Sequence, residues 1–376
     1  MRILFLHRWV GLHEGGTETN VKNSILFLAD KGHQVSLITV RGDALPQAII
    51  SNSNIAIYYL PLGWGESKFS YASMYDPRLY FYTGWYALRL LLKIVWLHSV
   101  KKFRPQVMSV HFSTEFLAAW VVRALFNIPI SFSLEGYTTM EASLAKFSNI
   151  QFACSRDVVE KCQKNFGYRP IVRWHGASTK RFSSQGSNFK NQFFSVDDFV
   201  VLSVCRLEPR KNISTLIKAA AITAKQESNI KYLLVGEGVE SDLLHDLAAQ
   251  LSLGDYVKFA GRVAEADLPA YYRSGDIYVL PTLYEGFGIV YIEAMASGLP
   301  IISTTAGAVP EVVRDAGILL DPMDVSGFAR EIINLYKSPS LRNRFRERGF
   351  YLVSNDYNLE KWMSIFEEGL LRMAKN

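Results

Sequence analysis

The sequence predicts an α/β protein built from two doubly wound, parallel-sheet domains. Three observations predict it. Short apolar, β-prone runs alternate with segments of helical period along the whole chain, as parallel strands joined by crossover helices require. At 376 residues the chain exceeds the size at which a single core keeps growing. A stretch rich in Ser, Gly and Asn, WHGASTKRFSSQGSNFKNQ at 174–192, separates two sets of strands as an interdomain hinge would.

In the first set, strands are expected near 3–7, 35–40, 55–60, 106–111, 129–134, 150–154 and 171–173. In the second they fall near 200–205, 232–235, 257–259, 277–280, 301–303 and 318–320. The domains are accordingly set at 1–176 and 177–355, followed by a last helical segment within 356–376. That helix is amphipathic through Trp362, Ile365, Phe366, Leu370 and Leu371.

With 49% hydrophobic residues the chain can bury substantial cores, which excludes disorder, and no repeat of solenoid period is present. Cys154, Cys162 and Cys205 lack metal-ligand spacing and read as buried thiols of a reducing compartment. The opening MRILFLHRWVGLHEGG has too short an apolar run for a signal peptide, so a cytoplasmic location is expected. A net charge of +6 suits an acidic partner such as a nucleotide, a phospholipid surface or a pyrophosphate-linked acceptor. Nothing beyond that charge points to nucleic acid.

Segment 80–103 mixes Trp85, Tyr86, Leu90, Leu91, Ile94, Trp96 and Leu97 with Arg89, Lys93, Lys101 and Lys102. It reads either as an interfacial helix making peripheral membrane contact or as a crossover helix packed before the strand at 106. Charge interrupts it too often for it to span a bilayer. The aromatics Trp64, Phe69, Tyr71, Tyr75, Tyr80, Phe81 and Tyr82 either line an acceptor groove or pack a loop.

Candidate chemistry concentrates in the second domain. In PTLYEGFGIVYIEAMASG, Gly286 and Gly288 fall in the turn between the strand at 277–280 and a helix from Ile289. The amides of Gly288, Ile289 and Val290 would open that helix, where unpaired N–H groups and the peptide dipole favour phosphate. Glu285 lies in the loop and Glu293 about two turns along the helix, two carboxylates able to accept hydrogen bonds from a sugar and a ribose. That combination suits a sugar nucleotide. After the strand at 200–205, CRLEPRKN places Arg206 and Lys211 around a polar turn, two cations suited to a diphosphate. Carboxyl ends of strands are where ligands sit in open α/β sheets, so both devices are expected on one crevice.

Four segments in order, EGGTE, CRLEPRKN, LLVGEGVE with AGRV, and EGFGIVYIEAMASGLP with TTAGAVPEVV, resemble glycosyltransferase family 4, the retaining GT-B enzymes of the glycosyl transferases group 1. The likeness spans almost the whole chain and is strongest over 199–321. It implies a GT-B fold of two Rossmann-like domains facing a cleft, and a return helix that packs on the first domain. It further implies that Glu293 binds the ribose, Glu285 the donor sugar hydroxyls, and Arg206 and Lys211 the diphosphate. Gly286, Gly288, Ile289, Val290, Arg262 and Val263 would line the donor, with Gly15 and Gly16 closing over its phosphates from the first domain. The donor implied is UDP- or GDP-linked, UDP taken first, and the acceptor a saccharide or lipid-linked saccharide. No cofactor is required and metal independence is expected, since no Asp-x-Asp follows a strand and Asp321 and Asp324 occupy a turn.

Two positions depart from the pattern. SFSLEGYTT carries Glu135 where many members have a histidine before glycine, and Trp174-His175-Gly176 stands where relatives often have Pro-Asn-Gly. Glu135 could orient an acceptor hydroxyl or act as a base, and His111, ending the strand at 106–111, resembles a frequent family histidine. His7 and His13 read as structural loop residues. Rival functions are a sugar-nucleotide epimerase and a non-catalytic nucleotide-sugar or glycan-binding subunit. A nicotinamide dehydrogenase is disfavoured because GxGxxG is absent after the first strand.

Overall fold

The computed structural model describes all residues except 12–14, 43–44, 62–76, 102, 179–180 and 376, and the backbone alone over 77–82. His13, Glu14 of the EGGTE motif, and the aromatics Trp64, Phe69, Tyr71 and Tyr75 lie outside the described residues, as do the side chains of Tyr80, Phe81 and Tyr82. The chain divides into two compact units, Met1–Trp174 with Glu360–Asn376, and His175–Leu359.

The first unit runs β1 Arg2–Leu6, α1 Gly16–Asp30, β2 Gln34–Val40, α2 Gln47–Ile50, β3 Ile55–Leu60, α3 Pro77–Ser99, β4 Val107–Val110, α4 Ser113–Phe126, β5 Ile130–Leu134, α5 Thr139–Ala145, β6 Ile150–Ala153, α6 Arg156–Phe166 and β7 Ile171–Val172. Its strands form one seven-stranded parallel sheet in the order β3-β2-β1-β4-β5-β6-β7. The chain starts mid-sheet, steps outward to β3, then crosses back to β4 and steps outward the other way. Right-handed crossovers therefore put α1 and α2 on one face and α3, α4, α5 and α6 on the other. The strand order reverses between β1 and β4, which opens a crevice at their carboxyl ends.

The second unit runs α7 Lys190–Phe193, β8 Phe199–Val204, α8 Ile213–Thr223, β9 Ile230–Val235, α9 Ser241–Gln250, β10 Val257–Gly261, α10 Leu268–Tyr272, β11 Ile277–Val279, α11 Ile289–Ala296, β12 Ile301–Thr304, α12 Val309–Val313, β13 Gly317–Leu320, α13 Val325–Lys337 and α14 Pro339–Asn355. Its six-stranded parallel sheet has the order β10-β9-β8-β11-β12-β13, so the reversal falls between β8 and β11. Central strands covered on both faces have no polar side, and β8 and β12 are buried at every residue.

Every expected strand forms, with its ends within two residues. The last helix, α15 Leu359–Lys375, returns to the first unit, where Phe366, Leu370 and Met373 join the core made by Phe5, Ile25, Leu28 and Leu37. Phe366 meets Phe152 edge-on at 5.1 Å. Gly369 permits that approach: a Cβ there would lie 2.5 Å from the Phe152 ring.

The polar stretch 174–192 is not a free linker. Phe182 packs edge-on against Tyr272 at 5.5 Å, the Phe189 N–H donates to Ser274 Oγ (2.8 Å), and Arg181 pairs with Glu265 at 2.7 Å, all within the second unit. Phenylalanines embedded in a Ser-rich sequence supply anchors that composition hides. The change of unit falls at the very start of that stretch, between Trp174, stacked obliquely on Trp362 at 5.0 Å, and His175, 4.9 Å from Phe287.

Candidate functional site

In the second unit, three loops that leave neighbouring strands are bonded to one another. After β8 the chain makes a 3-10 turn over Pro209–Lys211, ended by Asn212 in the left-handed region (φ 54). Asn212 tolerates that conformation and uses its amide to donate to Pro281 O (3.1 Å) and Pro322 O (2.8 Å). After β11, the Leu283 N–H and the Thr282 hydroxyl both donate to Arg210 O, at 2.7 and 2.9 Å. After β12, Thr304 donates to Thr282 O (2.9 Å) and the Ala308 N–H to Glu285 O (3.0 Å). The turn carrying Lys211 and the loop carrying Glu285 thus form one rigid piece at the carboxyl ends of β8 and β11.

The charges on that piece meet. Lys211 Nζ is ion-paired with Glu285 Oε1, both side chains buried, and Arg210 Nη1 stands 3.6 Å from the second carboxylate oxygen. Thr282 Oγ1 lies 3.5 Å from the same Oε1. Glu208 bridges Arg210 at 2.5 Å and Arg206 at 3.6 Å, leaving Arg206 about half exposed. Three cations face two carboxylates, so the junction keeps a positive surplus.

Gly288 caps α11 with φ 87, and a Cβ there would fall 2.5 Å from the Tyr291 ring. Tyr291 is fixed in turn by its hydroxyl on Ser303 (2.8 Å), so the glycine requirement comes from packing as well as from backbone sterics. Ile289 and Val290 open the helix, with Gly286 in the loop before it. Because the helix opens at Ile289, Glu293 stands one turn along it, not two. It is buried and accepts from the Tyr272 hydroxyl at 2.9 Å; burial pushes its carboxyl up to about 7.

The 236–238 loop closes on the same turn. Gly236 has φ 130 and its Cβ would lie 1.9 Å from Cys205 O, while Leu207 N–H donates to Glu237 O (2.9 Å). Arg262 and Val263 follow β10 beside this loop, where the Gly236 N–H donates to Gly261 O (2.8 Å). The Cys205 thiol is pushed up to about 12 by burial, which leaves it inert. Asp324, expected in a turn, accepts from the Gly327 N–H (2.8 Å) as the cap of α13. Among the described residues no group of three His, Cys, Asp or Glu side chains is gathered to hold a metal.

In the first unit, His7, His111 and Glu135 end the adjacent central strands β1, β4 and β5. His111 Nδ1 lies 3.1 Å from Glu135 Oε1, which also accepts from Asn20 Nδ2 at 2.9 Å. Asn20 Oδ1 in turn accepts from the buried Arg173 at 3.2 Å. His7 is buried edge-on to His111 at 5.4 Å, and desolvation together with His111 holds it well below the usual imidazole value. Gly15 caps α1 and Gly16 begins it; a Cβ on Gly15 would meet Glu18 Oε2 at 2.6 Å. A cavity of about 310 Å³ lined by Arg123, Asn127, Pro129, Asn149 and Arg372 opens at the amino ends of β5 and β6, the wrong end of the sheet for these residues.

Sequence reasoning missed Arg210, Thr282, Tyr272, Asn20 and Arg173. Arg210 stands beside Lys211 in a motif already singled out, so charge alone pointed at it. Tyr272 and Arg173 gave no signal, because each meets its partner on another element that only the fold brings near.

Residues 184–350 match the model of the glycosyl transferases group 1 family. That match lies wholly within the second unit. The O-antigen chain mannosyltransferase B of Escherichia coli is 34% identical over 151 residues, 39% of this chain and 39% of that one, so the match spans about two fifths of that relative's length. The lipopolysaccharide core biosynthesis glycosyltransferase LpsE of Rhizobium meliloti (strain 1021) is 27% identical over 278 residues, 72% of this chain and 77% of that protein. The structure of Anabaena HepE in complex with UDP and glucose superposes with a TM-score of 0.81 at 19% identity, covering 99% of this chain and 100% of that one. The fold is that of the GT-B glycosyltransferases, two Rossmann-like parallel-sheet domains, and the residues matched by the family model contain every loop of the junction described above.

Proposed function

We propose that this protein is a retaining glycosyltransferase that moves a hexose or N-acetylhexosamine from a UDP- or GDP-linked donor to a saccharide or lipid-linked saccharide acceptor, in polysaccharide or glycoconjugate synthesis. The observation that carries this reading is the junction of β8, β11 and β12, where Lys211, Glu285 and the start of α11 share one hydrogen-bonded support. Lys211, Arg206 and the first amides of α11 meet the diphosphate, Glu285 the donor sugar, and buried Glu293 the ribose. The mannosyltransferase relative supports a hexose, and the UDP and glucose held by HepE support a uridine donor.

In the reaction the bond from sugar C1 to the diphosphate oxygen breaks, and the acceptor oxygen bonds C1 on the same face. The acceptor's proton passes to a departing phosphate oxygen. Charge collects on the diphosphate in the oxocarbenium-like transition state, and preorganised cations stabilise it there. Glu135 and His111 are assigned to the acceptor hydroxyl. The same groups meet the diphosphate in the absence of a divalent metal.

The test is incubation with a panel of UDP- and GDP-sugars and oligosaccharide acceptors, reading nucleoside diphosphate release and the product anomer by NMR. Release coupled to an α-linked product from an α-donor supports the reading. An epimerised nucleotide sugar without acceptor, or donor binding without release, sinks it.

A further inference from the structure

We propose that the outer face of α3 and α4 seats this protein on an anionic lipid surface. A helix packed on one side of a sheet normally turns a polar face to water. α3 does not. Its inner stripe, Tyr86, Leu90, Ile94 and Leu97, is buried on the sheet at 0–1% exposure, yet Trp85, Leu88, Leu92 and Trp96 on the opposite side are 39–59% exposed. The inner face fits the crossover-helix reading of this segment, and the outer face is what the interfacial reading would use.

α4 repeats the arrangement. Ala119 and Val122 are buried, whereas Leu117, Trp120 and Leu125 are 50–61% exposed. The two helices lie side by side in the same layer, and their ends are joined by His98 stacked on Phe126 at 3.9 Å. The result is an apolar outer face on two adjacent helices carrying three exposed tryptophans, the kind of patch that marks an interaction surface.

Its charge identifies the occupant. From 77 to 126 the sequence has seven Lys or Arg against one acid, Glu115, which is buried; that surplus equals the net +6 of the entire chain. Lys93 and Lys101 hold their ammonium groups 4.7 and 5.6 Å from the Trp96 ring, cations set at the rim of an aromatic-apolar face. That pairing matches a bilayer interface, where tryptophan sits at headgroup depth and lysine meets phosphate. A second copy would bring two such positive faces together against their repulsion. No described helix is long and apolar enough to cross a membrane, so this face lies on the bilayer. The surface is argued independently of the transfer reaction; only its use, bringing a lipid-linked acceptor within reach, rests on that reading.

The experiment is flotation of the full chain with vesicles of phosphatidylcholine alone or mixed with phosphatidylglycerol, with UDP-induced thermal stabilisation read on the same preparations. Wild type should float with the anionic vesicles roughly tenfold more than with the neutral ones. Leu92→Ser with Trp120→Ser, and separately Lys93→Glu with Lys101→Glu, should each cut anionic binding by roughly tenfold while UDP stabilisation is unchanged. Two variant pairs of opposite chemistry guard against simple misfolding. Absence of wild-type flotation, flotation unaffected in both pairs, or a dimer in sedimentation that the Leu92→Ser pair splits would each overturn the proposal. Vesicle binding without UDP stabilisation would leave it standing and remove the donor reading instead.

Discussion

Lys211 and Glu285, 74 positions apart in sequence, form a buried ion pair on two loops that are also bonded through Arg210 O. On the proposed reading, the pair holds the cation that meets the diphosphate in place before the donor arrives. A preorganised charge needs no rearrangement when negative charge develops, which is where such groups contribute most to rate.

Lys211→Met should therefore lower turnover by about 2.7–4 kcal/mol, the scale of losing one electrostatic stabiliser. It should also destabilise the fold by about 1–3 kcal/mol, because buried Glu285 loses its nearest cation and keeps only the partly exposed Arg210 at 3.6 Å. Adding Glu285→Gln should restore most of the stability and none of the activity. Chemical denaturation beside single-turnover kinetics separates the two effects, and recovery of activity in the double variant would contradict the assignment.

Glu293 gives the protein a pH signature. Burial pushes its folded carboxyl up to about 7 from the ordinary 4.5, so between those pH values the folded state holds the extra proton. Stability from this group is then greatest below the unfolded value and falls as pH rises through about 7. The full span is worth about 3 kcal/mol. Glu141, also raised to about 7 by burial, acts in the same direction, so the contribution is isolated by difference. Denaturation of wild type and Glu293→Gln across this range should show the smaller pH slope in the variant.

The loops proposed to hold the donor were legible because phosphate chemistry has a local sequence grammar: glycines at a strand-to-helix turn, cations after a strand, spaced acids. Lys211, Glu285 and Gly288 could be named for that reason, and the strands for their unbroken apolar runs. Tyr272 beneath Glu293, and Arg173 beneath Asn20, obey no such grammar, since they are partners by sheet order. The apolar outer face of α3 was visible only as an excess of tryptophan, because periodicity reports two apolar faces as none.

Gly288→Ala tests the strained entry to α11. With φ 87 and a Cβ 2.5 Å from a ring that Ser303 immobilises, alanine should cost about 1–3 kcal/mol. UDP stabilisation should fall with it, as the first amides of α11 are displaced. Gly254→Ala, where nothing stands within 4 Å, is the control and should be close to neutral in thermal melts.

Asn20 holds the carboxylate that replaces the family histidine. Its Oδ1 accepts from Arg173 at 3.2 Å, which turns Nδ2 toward Glu135 Oε1 at 2.9 Å and fixes which way the amide points. Asn20→Ala removes one donor from Glu135 and should lower kcat roughly tenfold, the scale of about 1.5 kcal/mol for a hydrogen bond to a charged group. Donor KM should not move, because the change touches no phosphate or ribose group. Asn20→Asp keeps the shape but sets a second carboxylate against Glu135. Two such groups cannot both ionise at contact, so the pair should share a proton and the variant's activity should recover as pH is lowered. If both variants keep wild-type kcat across pH, Glu135 has no part in the transfer and the acceptor must be oriented by other groups.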